Sequence, residues 1–293
     1  MLGQVKGNCA SEIAYTGSGI CAIQEQKISS LLLTGLNTMF PMEDIEDNFI
    51  QLIQQGVTAE GTGRIYPVKD IVGMTINGGD INAPDLGTYG GPMPTNLNAK
   101  NVAYQINSGD CAYKEYAKLN KRKMRIFRID EDGVVRGTVV ERNGKQYFAG
   151  FEATLYTVRI PTDGSTAYNL SLYAYYTPNN EYEEKNMHGF VVGLAAIPDG
   201  LLGVVLKKGA ATGKASVVTT CGGEDITAEF GDKWTTAMFL NDSGAAPTTV
   251  TYDNATGLLT FEPAAKYRVA GAAVLAAADI TGVDGINQLT DLS

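Results

Sequence analysis

The stretch Tyr168–Tyr176 (YNLSLYAYY) alternates with a period of two: Tyr168, Leu170 and Leu172 fall on one face, Asn169, Ser171 and Tyr173 on the other. That period belongs to a half-buried β-strand and does not fit a helical stripe. Shorter runs precede it at Lys145–Phe151 and Ala153–Ile160, with turn signals at Asn143-Gly144 and Asp163-Gly164. Strands joined serially by tight turns form an antiparallel meander. The chain is therefore expected to be mainly β, and its 34 glycines and 15 tyrosines agree.

A strand, short helix and hairpin unit is expected over Ala99–Phe151. Val102–Ile106 reads as a strand, and Asp110 as the cap of a helix with Tyr113, Tyr116 and Ala117 inward. Asn120 ends that helix, and Lys123–Ile129 re-enters the sheet before turning at Asp130-Glu131-Asp132-Gly133. A second helix is expected from Asp44 to Gln55. Ile45, Phe49, Leu52 and Ile53 share a face, Asp44 caps it, Glu46 and Asp47 suit its first turn, and Gly56 closes it. Met1–Gln26 reads as an extended arm, Lys27–Leu33 as a strand, and Arg64–Ile76 as a strand that Pro67 places at an edge or bulge. Pro178–Lys185 reads as an acidic turn region, and Phe190–Ala196 as strand-like.

Between these lies Asn77–Asn98 (NGGDINAPDLGTYGGPMPTNLN), rich in Gly, Pro and Asn and without visible structure. Loops of this length in compact domains are uncommon and are usually functional or disordered. Two readings stand: a surface loop, or an arm anchored by Leu86, Tyr89 and Met93 and ordered by a neighbouring subunit.

At 293 residues the chain has room for two moderate cores. The Gly/Ala/Lys run at 207–214 reads as a linker, dividing a domain at 1–206 from one at 215–293. In the second, short runs at Ala215–Thr220, Ile226–Phe230, Trp234–Leu240, Thr248–Tyr252, Leu258–Phe261 and Lys266–Ala272 fit a small Ig-like sandwich with Trp234 inside. The Cys…Trp…Cys pattern of antibody domains is missing, so the likeness is one of architecture.

The net charge of −9 disfavours tight polyanion binding over the whole surface and suits a surface that DNA passes without sticking. The opening Met1–Ala10 has no signal-peptide pattern. No run reaches the roughly 18 apolar residues of a membrane span, and Val269–Ala278 is short and interrupted by Gly271. Cys9, Cys21, Cys111 and Cys221 show no paired spacing and read as free thiols of a reducing compartment.

Catalytic motifs are missing. His188 is the sole histidine and has no nucleophile motif beside it, so it reads as structural or exposed. Asp130-Glu131-Asp132-Gly133 lacks the further oxygen ligands of a calcium loop and reads as a hairpin turn. The pairs Gly78-Gly79, Gly90-Gly91 and Gly222-Gly223 do not match phosphate loops, and no stretch nominates a carboxylate pair. No enzyme activity, cofactor or metal is expected. The basic run Lys114, Lys118, Lys121, Arg122, Lys123, Arg125 and Arg128, interleaved with Tyr113, Tyr116 and Phe127, allows three readings. It pairs with acidic residues of another copy (Glu181, Glu183 and Glu184, or Asp130–Asp132), or is a solvated face, or meets nucleic acid.

Three stretches carry a family resemblance: RIYPVKDI (64–71), DCAYKEYAKLNKRKMRIFRIDEDGVVRGT (110–138) and YNLSLYAYYTPNNEYEE (168–184). Their wording is similar to virion proteins of tailed phages infecting Bacteroidetes. The order of elements resembles tail-tube proteins: a β-rich domain with a flanking helix, a long Gly/Pro loop and an appended Ig-like domain. The resemblance implies an antiparallel β-sandwich or barrel with one or two flanking helices, and a ring-forming, hexameric subunit whose stacked rings form a channel. Its partners would be copies of itself and other tail or connector proteins, with DNA passing transiently and non-specifically. The loop would reach an adjoining subunit, and Leu86, Tyr89, Met93, Lys121, Arg122, Lys123, Glu181, Glu183 and Glu184 would lie between subunits. The expected location is the virion tail, after assembly in a host cytoplasm and without membrane insertion. A connector or tail-terminator ring is an alternative, as is a surface-decorating or host-glycan-binding virion protein.

Overall fold

The computed structural model describes residues 26–43, 45–85, 91–162, 168–178 and 180–293, without the side chain of Glu181. The expected N-terminal arm up to residue 25, the Asp44 cap, Leu86, Tyr89 and the Asp163-Gly164 turn lie outside the described residues. The protein is mainly β, with antiparallel sheets and a few helices, as the alternation predicts. It divides into two compact units, one running to Gln54 and from Ile65 to Pro198, the other Gln55–Arg64 with Asp199–Ser293.

In chain order the first unit holds β1 (Ile28–Thr34), β2 (Phe40–Pro41), α1 (Ile45–Thr58, which runs past the division), β3 (Tyr66–Val68), β4 (Ile71–Asn77), β5 (Ile81–Asn82), β6 (Asn96–Leu97) and β7 (Asn101–Ile106). It continues with α2 (Asp110–Ala117), β8 (Lys123–Asp130), β9 (Val134–Arg142), β10 (Lys145–Ala149), β11 (Phe151–Ile160), β12 (Asn169–Tyr176), α3 (Asn180–Lys185) and β13 (Met187–Val191). Eight strands form the path β2-β10-β9-β8-β11-β12-β7-β4, with β1 on β8, β3 on β1 and β13 on β9. The expected single run 145–151 breaks at Gly150 because the chain changes partner there. Phe148 pairs with Val139 of β9, whereas Phe151 pairs with Ile126 of β8. A Cβ at Gly150 would lie 2.6 Å from the Ile126 backbone nitrogen, so this crossing admits only glycine.

Pro67 sits in β3, which pairs only with β1, so the proline occupies an edge as its missing N–H requires. The expected strand 64–76 is split in two by Asp70, whose φ of 58° breaks the extended backbone. Helix α1 buries Ile45, Phe49, Ile53 and Val57, one residue per turn, and does not stop at Gly56. Burying Val57 is worth about 1.5–3 kcal/mol, which exceeds the roughly 1 kcal/mol that a mid-helix glycine costs.

The sheet is covered on two faces. On one, the Phe49 ring meets Phe40, Phe127, Phe148 and Phe190 at centroid distances of 5.7, 6.0, 6.1 and 5.1 Å. On the other, Leu31, Leu33, Ile126, Phe151, Leu155, Leu172 and Tyr104 form a core against which Tyr113 and Tyr116 of α2 pack. Gly109 is the cap position of α2, and Asp110 is the first helical residue. The Asp110 carboxylate is spent elsewhere, accepting a 2.7 Å hydrogen bond from the Tyr168 hydroxyl. After α2 the side chain of Asn120 accepts a 2.7 Å bond from the Thr157 N–H, tying the helix end to β11.

His188 lies in the aromatic layer, 6% exposed, its ring 5.7 Å from Phe148 and 6.1 Å from Phe190. Its Nε2 has no hydrogen-bond partner. Burial holds its pKa below the ordinary 6.5, partly opposed by the Glu46 carboxylate on α1. In the window from 6.5 down to the lowered folded value, the unfolded chain binds more protons. Stability is therefore expected to fall as pH drops below 6.5. His188→Phe should flatten that slope in urea melts taken between pH 7.5 and about 5; an unchanged slope would show that other groups set it.

The second unit holds β14 (Leu202–Lys208), β15 (Lys214–Thr219), α4 (Thr227–Phe230), β16 (Phe239–Leu240), β17 (Thr249–Asp253), β18 (Leu258–Glu262), β19 (Lys266–Val269), α5 (Ala272–Ala276), β20 (Val283–Gly285) and β21 (Thr290–Asp291). A five-stranded sheet, β17-β18-β15-β14-β20, and a three-stranded one, β16-β19-β21, share one core. That core contains Val204, Val217, Trp234, Phe239, Phe261 and Tyr267. Trp234 is 3% exposed, and its indole N–H donates to the Thr227 carbonyl at 3.0 Å.

Two expectations change here. The 207–214 run is the end and turn of a hairpin, not a linker: Lys207 pairs with Ser216 and Lys208 with Ala215, and the units divide at Pro198/Asp199. Its small, flexible residues serve a reversal between two paired strands, a use that composition does not distinguish from a spacer. Residues 226–238, expected as strands, form α4 and two short 3-10 turns instead. The buried Thr227 hydroxyl stitches that turn to β15, with the Val217 N–H donating to it at 2.7 Å.

Candidate inter-subunit surface

Strand β4 ends the eight-strand path, paired to β7 on one side and, among the described residues, open on the other. Its sequence IVGMTIN holds no charge and no proline, the usual guards of a free edge. Val72, Met74 and Ile76 are 51, 44 and 52% exposed, although Met74 and Ile76 stand directly opposite the buried Tyr104 and Val102 of β7. The apolar side of the sheet therefore runs beyond its own cover. One irregularity, between Ile71 and Gly73, interrupts the register.

The described parts of the stretch 77–98, expected to lack structure, continue β4 and β7 as an antiparallel pair over residues 77–85 and 91–98. Asn77 pairs with Asn101, and beyond a glycine pair Ile81 of β5 faces Leu97 of β6. Backbone bonds from Gly79 N to Asn98 O, Asn98 N to Asp80 O, Thr95 N to Asn82 O and Met93 N to Pro84 O close it as far as the Asp85–Pro92 bridge. Gly78, at φ 75°, makes the bend; a Cβ there would sit 2.0 Å from the Ala99 carbonyl oxygen. Local cross-strand pairing thus orders a segment whose composition suggests a loop. Every described residue from Asp80 to Ala99 is exposed, with Ile81 at 65%, Met93 at 53% and Leu97 at 39%. The described hairpin buries no side chain against its own chain.

The basic and acidic residues expected to pair between copies part company. Lys121 and Arg122 are exposed in the turn after α2, held by bonds from Lys121 N to Leu155 O and from Leu155 N to Arg122 O. Exposed Lys123 lies 3.9 Å from Glu152. Arg125 and Arg128 do not belong to that surface: Arg125 is buried, donating to the Leu36 and Gly150 carbonyls, and Arg128 stacks 4.5 Å over the Phe151 ring. Glu183 is 7% exposed, 3.4 Å from Arg125, and accepts the Glu152 N–H at 2.9 Å. Burial raises its pKa, opposed by that N–H and by Arg125. Glu184 pairs with Lys100 at 2.7 Å; burial pushes its pKa up, but Lys100 together with Arg128 and Asn180 outweighs that and the net shift is downward. Both carboxylates serve within the chain, because α3 forms where an acidic turn is expected and carries them onto cations far away in sequence.

Asp130 is likewise internal. Fully buried, it accepts from Asp132 N (3.1 Å) and Val134 N (2.9 Å) on one oxygen, and from Gln26 N (3.3 Å) and Arg136 (2.6 Å) on the other. It anchors the β8–β9 hairpin, whose turn Gly133 closes at φ 79°. Cys111 and Cys221, expected as free thiols, are both disulfide-bonded, which the sequence spacing did not show. Cys9 and Cys21 lie outside the described residues. Among the described residues no three His, Cys, Asp or Glu side chains gather as a metal site, and no helix is long and apolar enough to cross a membrane. Comparison with known protein families and with curated proteins finds no match for this chain.

Proposed function

We propose that the chain is a structural subunit that assembles with copies of itself, of the tail-tube kind that residues 64–184 resemble. One observation carries this reading: a hairpin formed by residues 77–85 and 91–98 continues an uncharged strand that is unpaired on one side among the described residues, and it buries no described side chain against its own body. An isolated two-stranded hairpin is at best marginally stable in water, so its order is accounted for by a neighbour that covers Ile81, Met93 and Leu97. The β4 edge offers backbone pairing to that neighbour. A contact between this edge and a different surface of the next copy is heterologous, and such contacts close into rings or run on as filaments. In a ring of the tail-tube kind, a subunit net charge of −9 opposes retention of passing DNA. Purified protein is expected to form rings or tubes in negative-stain electron microscopy. Discrete single particles at high concentration would count against the proposal.

A further inference from the structure

Strand register aligns β11, β12, β7 and β4 in three rows on the side facing away from Leu155, Leu172 and Tyr104. The rows are Thr154, Tyr175, Asn101, Asn77; then Tyr156, Tyr173, Ala103, Thr75; then Val158, Ser171, Gln105, Gly73. No position among them is charged, although charged residues make up 19% of the chain. Tyr156 and Tyr175 are 42 and 48% exposed, and the Tyr173 and Tyr175 rings stack with centroids 6.2 Å apart and planes 21° apart. Tyr156 stands directly opposite Tyr173 in the register, so three tyrosines hold neighbouring positions on this face. Beside them Ala103 and Ser171 are covered, at 7 and 2% exposure, and Asn101, Gln105, Asn77 and Thr75 hold the neighbouring positions with their amides and hydroxyl. On the flank Lys123 stands opposite Thr154 and 3.9 Å from Glu152.

We infer that this face binds a neutral oligosaccharide. The apolar side of a sugar ring packs on tyrosine faces, and its hydroxyls exchange hydrogen bonds with amides and hydroxyls, the groups this face presents. An anionic or nucleic-acid ligand would need cations that the rows lack. An extended peptide binds through a free sheet edge, whereas these positions lie on a face. The inference does not rest on the assembly proposal, which uses the β4 edge and the hairpin.

The test is saturation-transfer NMR and tyrosine-fluorescence titration of the full chain with cellohexaose, maltohexaose and mannohexaose, and with oligogalacturonate as the anionic control. At least one neutral hexasaccharide is expected to bind in preference to oligogalacturonate. Tyr156→Ala and Tyr173→Ala should each weaken it roughly tenfold, and Tyr156→Phe should keep most of the affinity. Circular dichroism checks that the variants fold; if Tyr173→Ala does not, the more exposed Tyr156→Ala decides. Absence of binding by all three neutral sugars, preference for the anionic one, or alanine variants that bind as the parent does would overturn the inference. So would alanine variants that change the sedimentation of the protein, because a second copy would then occupy the face.

Discussion

Asp130→Ala is expected to lower the free energy of unfolding by about 3–5 kcal/mol, read as a shift of the urea midpoint at unchanged slope. The carboxylate is fully buried and accepts from three backbone N–H groups and from Arg136, which is itself 3% exposed. Removing it takes the 2.6 Å carboxylate partner from the buried Arg136 guanidinium and the acceptor from the buried Val134 amide, and a buried donor that loses its acceptor costs about 1–3 kcal/mol. Replacing both members of the pair, as in Asp130→Leu with Arg136→Met, should recover part of the loss, because both buried charges are then gone. A loss under about 1 kcal/mol for the single variant would place this pair with ordinary surface ion pairs and remove its role as hairpin anchor.

The second large effect concerns assembly rather than folding. Met74→Lys with Ile76→Lys should abolish rings or tubes while moving the melting of the lone chain little. Both side chains are about half exposed, so lysine heads reach water from those positions. Lysine on a free edge is the device by which natural sheets prevent strand addition. In an assembled state those ammonium groups would be desolvated against a neighbour without counter-charge. The exposed Lys207→Glu substitution, in the second unit, serves as a control for charge change alone and should leave assembly intact. Assembly of the double-lysine variant at the parent's concentration would move the interface away from β4.

How much of this was legible in the sequence depends on the range of the interaction. The period of two in Tyr168–Tyr176 became β12, and Ile45, Phe49 and Ile53 became the buried side of α1, because near neighbours decide those patterns. Pro67 found its edge strand and Trp234 its core for the same local reasons. Glu183 and Glu184 read as part of an acidic turn that meets another copy, and nothing near them in the chain announces Arg125 and Lys100, which lie 58 and 84 residues away. Residues 226–230 look like a strand in isolation; the turn forms because Thr227 reaches a buried backbone group on β15. The hairpin within 77–98 was missed because Gly, Pro and Asn dominate its composition, while only Ile81 and Leu97 mark the cross-strand pair. The charge-free rows that include Tyr156, Tyr173 and Tyr175 emerge only once register sets four strands side by side.

The account turns on the claim that β4 and its hairpin are completed by another copy of the chain. Amide hydrogen exchange, followed peptide by peptide across a dilution series, addresses it directly. Peptides covering 71–82 and 93–99 should exchange rapidly in dilute protein and become protected as concentration rises, while those from β8 and β12 stay protected throughout. Rapid exchange of 71–82 and 93–99 at every concentration, or protection already complete in the dilute monomer, would contradict it.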